Sequence, residues 1–244
     1  MFKDKTLVAL GCSHTFGEYM EDHDPITCHK RSWVSALEKL GNFKDSVNLS
    51  ASGGSNYRSE RVLLEYLRKN SKDIVVIFSI TELSRFETVN VAQWDSIGNK
   101  SDAFIGEGAW GLDKSNLDKK KKEFLEYYYS ELINDEIDIA IINRKVLMIH
   151  TLLKSLGIEH YFFEMISGPD ILLSNQLGHE IPIIYFVEPG DPGVKIDWSI
   201  HKSSNAMLWM KRRFPRAKCG HFDQNANQAL AEYLIGQINI IKGN

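Results

Sequence analysis

Ser13 stands two residues after Gly11 in the run Gly11-Cys12-Ser13-His14-Thr15-Phe16-Gly17. A glycine there permits the sharp turn that holds a hydroxyl clear of the backbone. A serine so placed becomes a nucleophile only when a base stands beside it. His221, in Cys219-Gly220-His221-Phe222-Asp223-Gln224 just ahead of the last helical segment, is the matching base, because a loop that opens a helix can swing an imidazole over a sheet edge. Taken singly, Ser13 is equally well a turn residue and His221 a surface or capping residue. As a pair their chemistry is acyl transfer: the serine attacks a carbonyl and the histidine takes and returns the proton.

Such a pair has to be carried by rigid elements. Residues 6–10 form a short apolar run that reads as a buried strand, so 11–17 is a loop at its carboxyl end. Residues 32–40 place Trp33, Ala36, Leu37 and Leu40 at helical spacing, with Gly41 as the stop. Residues 46–50 are a second strand opening into Ala51-Ser52-Gly53-Gly54-Ser55-Asn56. Residues 60–68 return to helical spacing through Val62, Leu63, Tyr66 and Leu67. The β-branched run at 73–78 is of the kind buried on both faces of a parallel sheet. A long helix is expected from the Lys119–Lys122 run, itself read as a solvated face, through Leu132. It resumes over 137–156 after a break near Asn134-Asp135. Residues 158–163 and 181–187 read as further strands, 189–193 as a turn-rich loop and 226–241 as the closing helix. This alternation predicts a doubly wound α/β fold. In such folds ligands bind outside the carboxyl ends of the strands, where the polar, glycine-containing loops of this chain fall.

The 244 residues carry 29 Lys plus Arg against 32 Asp plus Glu, a net charge of -3, so no overall positive field favours nucleic acid or an anionic membrane as a partner. The four-residue apolar run before Gly11 is too short for a signal-peptide core, and no stretch approaches the roughly 18 apolar residues of a membrane span. A soluble, cytoplasmic protein is expected. Cys12, Cys28 and Cys219 are too few and odd in number for a disulfide framework.

Three blocks together resemble those of the SGNH (GDSL-like) hydrolases. Gly11-Cys12-Ser13-His14-Thr15-Phe16-Gly17 is similar to the first, whose more usual wording is Gly-Asp-Ser and whose serine is the nucleophile. Asn48-Leu49-Ser50-Ala51-Ser52-Gly53 is similar to the second, whose glycine lends a backbone N–H to the oxyanion hole; Gly53 is the best match and Gly54 its neighbour. The segment from Gly220 to Asn227, followed by Ala229-Leu230-Ala231, resembles the final histidine block. The order and spacing span essentially the whole chain, and the wording is nearer to divergent members met in tailed-phage genomes than to secreted esterases. The resemblance implies a flavodoxin-like three-layer sandwich around a mainly parallel sheet. It implies a single domain over 1–244, with insertion or lid segments at about 86–116 and 168–215. It also implies a serine esterase that needs no cofactor and no metal. Its substrate would be a small-molecule or glycan ester, with an acetylated carbohydrate as the first choice and a lipid or thioester as the second.

The chain departs from the family pattern in two places. The third block is normally Gly-x-Asn-Asp, but here it is Ser79-Ile80-Thr81-Glu82. The oxyanion donors would then be the N–H groups of Ser13 and Gly53, with the Thr81 hydroxyl or the Asn56 side chain. The family's acid stands three residues before the histidine, where this chain has Lys218. Asp191 or Asp197 could supply the carboxylate, whereas Asp223 reads as a helix cap. One alternative is a family-like binding protein without turnover. A second is a metal-binding protein built on Cys12 with His14, Cys28 with His29 and Cys219 with His221, although no Cys-x-x-Cys or His-x-x-x-His spacing is present. Arg85 and Glu87 either pair or line the pocket, and Arg58 and Arg61 are an anion site or solvated surface. Trp94, Trp110, Trp198 and Trp209 form a sugar-stacking wall or, by the stronger prior, core. The sequence sets no oligomeric state.

Overall fold

The computed structural model describes residues 2–19, 24–89, 104–107, 119–132, 134–166, 181–186 and 205–243. The strands in chain order are β1 (Thr6–Leu10), β2 (Asp45–Asn48), β3 (Ile74–Ile80), β4 (Phe86–Val89), β5 (Phe104–Glu107), β6 (Glu159–Glu164) and β7 (Ile183–Ile184). Five of them form an all-parallel sheet in the order β2-β1-β3-β6-β7. That is the doubly wound, flavodoxin-like order, with its switch point between β1 and β3. β4 and β5 pair antiparallel as a separate ribbon, so the 86–116 segment, expected to be irregular, contains regular structure.

The helices are α1 (Ser13–Phe16), α2 (Pro25–Arg31), α3 (Trp33–Leu40), α4 (Asn56–Leu67), α5 (Lys119–Tyr127), α6 (Asp135–Ser155), α7 (Ala206–Lys211) and α8 (Gln224–Gly243). A π-helical turn, Tyr128–Leu132, follows α5, and the break before α6 falls at Asn134, whose side chain caps the new helix by accepting from the N–H of Ile137. α4 begins at Asn56, four residues earlier than apolar spacing alone indicates, because Ser55 accepts the N–H of Arg58 as its cap. α1 lies within 11–17, which was expected to be a loop, and α2 and α7 were not foreseen. The latter two each follow a side-chain cap, Asp24 and Asn205 respectively.

Side chains alternate across each strand, and both faces of this sheet are covered. Leu7 and Ala9 of β1, Val75 and Ile77 of β3, and Tyr161 and Phe163 of β6 pack under α3, α7 and α8 with Trp33, Leu37, Trp209, Leu230 and Leu234. Val8, Leu10, Val76, Phe78 and Phe162 pack under α4 and α6 with Leu63, Ile142, Ile149 and Leu153. Each such fully buried side chain contributes about 1.5–3 kcal/mol from removal of its apolar surface from water. Trp209 belongs to the first of these cores, as its prior favoured. Trp94, Trp110, Trp198 and the turn at 189–193 lie outside the described residues. Among the described residues no helix is long and apolar enough to cross a membrane.

Candidate active site

Ser13 sits where β1 ends and α1 begins. As the first residue of a helix its N–H has no intrahelical acceptor and points out of the helix end. Gly11 must be glycine for a packing reason: a Cβ there would come within 2.1 Å of Ser79 Oγ and 2.5 Å of Thr15 Oγ1. Those two hydroxyls hydrogen-bond to each other at 2.7 Å across the space left open, tying the first loop to β3.

The second loop lies directly against the first. Gly54 N–H donates to the Ala51 carbonyl at 3.0 Å, closing a turn in which Gly53 takes φ +66. A Cβ on Gly54 would meet the Gly11 carbonyl oxygen at 2.7 Å, so the loops touch through backbone. Asn48 fastens them by donating to the Thr15 carbonyl at 2.8 Å while its Oδ1 accepts from Ser50. Gly54 is thereby held against the Gly11-Cys12 segment, with Gly53 as its neighbour in the chain.

The third loop is clamped to the second by Asn56. Its Oδ1 accepts from the Thr81 N–H at 2.9 Å and its Nδ2 donates to the Thr81 carbonyl at 3.1 Å. One Nδ2 hydrogen remains to Asn56 for anything else. Thr81 is fully buried, and its Oγ1 has no hydrogen-bond partner among the described residues.

His221 arrives on a small hairpin. Arg216 and Phe222 form an antiparallel bridge, the Ala217 N–H donates to the His221 carbonyl at 3.0 Å, and the Gly220 N–H donates to the Ala217 carbonyl at 2.9 Å. Phe222 is buried in the core beneath, and Asp223 caps α8 by accepting from the Ala226 N–H at 2.9 Å. Gripped on both sides, the imidazole lies with Nε2 2.8 Å from Ser13 Oγ. That is the separation a base needs to accept the hydroxyl proton.

Two further groups border this pair. The His14 ring lies 4.7 Å from that of His221, centroid to centroid. Burial first, and then the positive charges of His221, Arg85 and Arg216, push the His14 imidazole down to about 3, so it stays neutral. The Arg85 side chain is 9% exposed; its Nε donates to Glu82 at 3.1 Å and its Nη1 reaches the Gly54 carbonyl at 3.5 Å. Arg85 therefore pairs with Glu82 and borders the second loop; the Glu87 side chain, the other member of the expected pair or pocket lining, lies outside the described residues.

Of the expected set, Ser13 and His221 meet each other, Asn56 and Thr81 meet each other, and Gly53 lies on the loop whose Gly54 touches Gly11 and Cys12; Ser13, Gly53 and Thr81 each follow the carboxyl end of a strand. Lys218 is exposed, and Asp191 and Asp197 lie outside the described residues. Arg58 donates to the Leu49 carbonyl at 2.7 Å and Arg61 pairs with Glu65. Among the described residues no three His, Cys, Asp or Glu groups come together to hold a metal ion. Cys12 and Cys28 are buried and Cys219 is exposed, while His29 Nε2 meets Ser46 Oγ at 3.2 Å. Sequence reasoning did not assign His14 or Arg216 to the site. The signal for His14 was its place directly after the serine; for Arg216 there was none.

No family model matches the chain, and no curated protein is similar to it in sequence. The fold does have a solved counterpart. The chain is similar to psychrotrophic esterase EstA from Pseudoalteromonas sp., in a crystal structure inhibited by monoethylphosphonate, with a TM-score of 0.51 and 11% sequence identity. The likeness covers 99% of this chain and 100% of that one. It is a likeness of fold, the five-stranded parallel α/β arrangement described above.

Proposed function

We propose that this protein is an ester hydrolase that works through Ser13 and His221. The observation that carries the reading is the 2.8 Å approach of Ser13 Oγ to His221 Nε2 at the carboxyl edge of the sheet, between residues 208 positions apart that no local structure would bring together. The esterase fold of the solved counterpart and the resemblance of the three blocks to SGNH hydrolases support it.

Ser13 Oγ attacks the ester carbonyl as His221 Nε2 takes its proton. The developing oxyanion is held by the N–H groups of Ser13 and Gly53 and by the Thr81 hydroxyl, a buried donor with capacity to give. His221 returns the proton to the leaving alcohol as the carbonyl C–O bond breaks. Water then attacks the acyl-serine with His221 again as base, releasing the acid and restoring the Ser13 hydroxyl. His14, held neutral, adds no charge that would compete with this cycle.

The test is covalent capture. A fluorophosphonate probe is expected to add one phosphonyl group to the protein, located on Ser13 by peptide mass spectrometry. Labelling is expected to fall by about a thousandfold or more in Ser13→Ala and His221→Ala, in line with the loss of a serine–histidine unit elsewhere. A folded wild-type protein that takes up no probe would move the reading to a binding protein without turnover.

A further inference from the structure

The guanidinium of Arg85 is poorly used for so buried a charge. Its side chain is 9% exposed, yet among the described residues its contacts are one bond from Nε to Glu82, whose own side chain is 37% exposed, and a 3.5 Å approach of Nη1 to the Gly54 carbonyl. A guanidinium offers five N–H donors in a fixed fork, and taking it out of water without matching acceptors is costly. Glu82 takes the Nε side and Nη1 lies against the Gly54 carbonyl. Gly54 packs on Gly11 and Cys12, next to Ser13. The guanidinium therefore stands beside the loop that borders the nucleophile. Its charge reaches the Ser13 surroundings, since it helps keep His14 neutral, and Arg216 adds a second positive charge there.

We infer that Arg85 is the binding site for an anionic group of the substrate, so that the preferred ester carries a carboxylate or a phosphate-like group a few bonds from its carbonyl. This rests on the hydrolase reading for its turnover but not for its binding. A planar fork suits either anion by two parallel N–H···O bonds. The competing role for Arg85 is that of a strut joining the third loop to the second. A strut supports every ester alike and confers no preference for charge.

The experiment uses three esters that differ at one position. Ethyl butyrate, monoethyl succinate and ethyl 3-phosphonopropionate place a methyl, a carboxylate and a phosphonate at the same distance from the carbonyl. Binding is measured by calorimetric titration into full-length Ser13→Ala, which cannot turn them over, and phosphonylation of wild-type Ser13 is followed in parallel. Arg85 as anchor makes at least one of the two anionic esters bind about tenfold or more tightly than ethyl butyrate, the ratio a charge-assisted pair supplies. That ratio collapses in Ser13→Ala/Arg85→Met and is partly retained in Ser13→Ala/Arg85→Lys, which keeps the charge and loses the fork. Which anion gains tells carboxylate from phosphate. Equal affinities for the three esters, or a preference that persists in both Arg85 variants, overturns the inference. The Lys variant and the single Ser13→Ala protein keep the test decisive if the Met variant does not fold. Failure of the hydrolase reading shows separately, as absence of wild-type labelling.

Discussion

Two histidine pairs lie on this sheet, and they use their nitrogens differently. At the carboxyl edge, His221 directs Nε2 at a serine hydroxyl, and His14 lies against its ring. Toward the opposite end of the strands, His160 of β6 meets His150 of α6, Nε2 to Nδ1 at 2.8 Å, and its Nδ1 donates to the Ile158 carbonyl at 2.7 Å. Because a carbonyl can only accept, the proton of His160 is on Nδ1. Its Nε2 must then accept the Nδ1 proton of His150. Every polar position of the His160 ring is filled by protein, as in a structural hydrogen bond. At the edge, the first N–H groups of α1 have no intrahelical acceptor and the Thr81 hydroxyl has no partner among the described residues. What separates the two pairs is the donor capacity left around them: His150 and His160 are buried with the His160 ring fully engaged, whereas His14 and His221 are half-buried beside donors that remain open.

The difference can be broken most forcefully at Thr81. Thr81→Val keeps the shape of the side chain and removes a buried hydroxyl that has no partner among the described residues. Stability should hold or rise slightly, because an unsatisfied buried group is removed. Turnover of any ester that the wild type cleaves should fall about a hundredfold, the usual effect of losing one oxyanion donor. Thermal melting and kcat measured on the same preparation check both arms. Unchanged kcat would take Thr81 out of the oxyanion hole and leave Asn56, with its one remaining Nδ2 hydrogen, as the side-chain donor.

How much of this is legible before folding depends on whether a feature is local. β1 and β3 can be read as nearly continuous apolar runs, because a strand buried on both faces carries mostly apolar side chains, while β6 is read from its aromatic centre although it buries His160. Ser13 and His221 can be singled out because each sits where a strand ends or a helix opens, next to a glycine. Boundaries suffer where a cap overrides apolar spacing, as Ser55 does at the start of α4. α2 carries its own signal, Asp24 followed by Pro25 with the Thr27 N–H to donate to the Asp24 carboxylate, which a search for apolar periodicity passes over. The bridge of Arg216 to Phe222 and the contact of His150 with His160 are set by how the chain folds back, and no spacing rule reaches them; the pairing of Arg85 with Glu82 is a local i,i+3 contact. The departure of the third block from Gly-x-Asn-Asp is legible. Its structural counterpart, an Asn56 that clamps the Thr81 backbone from the neighbouring loop, is not.

The rear pair gives the converse case, with a smaller effect read in stability. His160→Phe removes the acceptor of the His150 Nδ1–H and should destabilise the protein by about 1–3 kcal/mol, the cost of stranding a buried donor. Phosphonylation of Ser13 at a temperature well below the melting midpoint should persist. The double change His150→Leu/His160→Phe replaces both partners by apolar groups and should recover most of that loss. A double variant no more stable than the single one would mean that packing, not the hydrogen bond, sets the cost.

The same pair predicts the acid response. Burial comes first in pushing the His160 imidazole below its usual value, and the neighbouring His150 adds to it, while the Ile158 carbonyl and Glu159 act the other way and Lys154 lowers it slightly. His14 is pushed down further, to about 3. The unfolded chain binds a proton to each near pH 6.5, and the folded chain only at lower pH, so between those values the unfolded state carries more protons and stability rises with pH. The melting temperature should therefore fall as pH drops from about 7 to 5, and the double variant His150→Leu/His160→Phe should flatten that slope without abolishing it, since His14 remains. Calorimetric scans of both proteins across that range check the sign. A slope unchanged in the double variant would assign the acid loss to the edge of the sheet, where His14 is hemmed in by Arg85 and Arg216, and not to its rear.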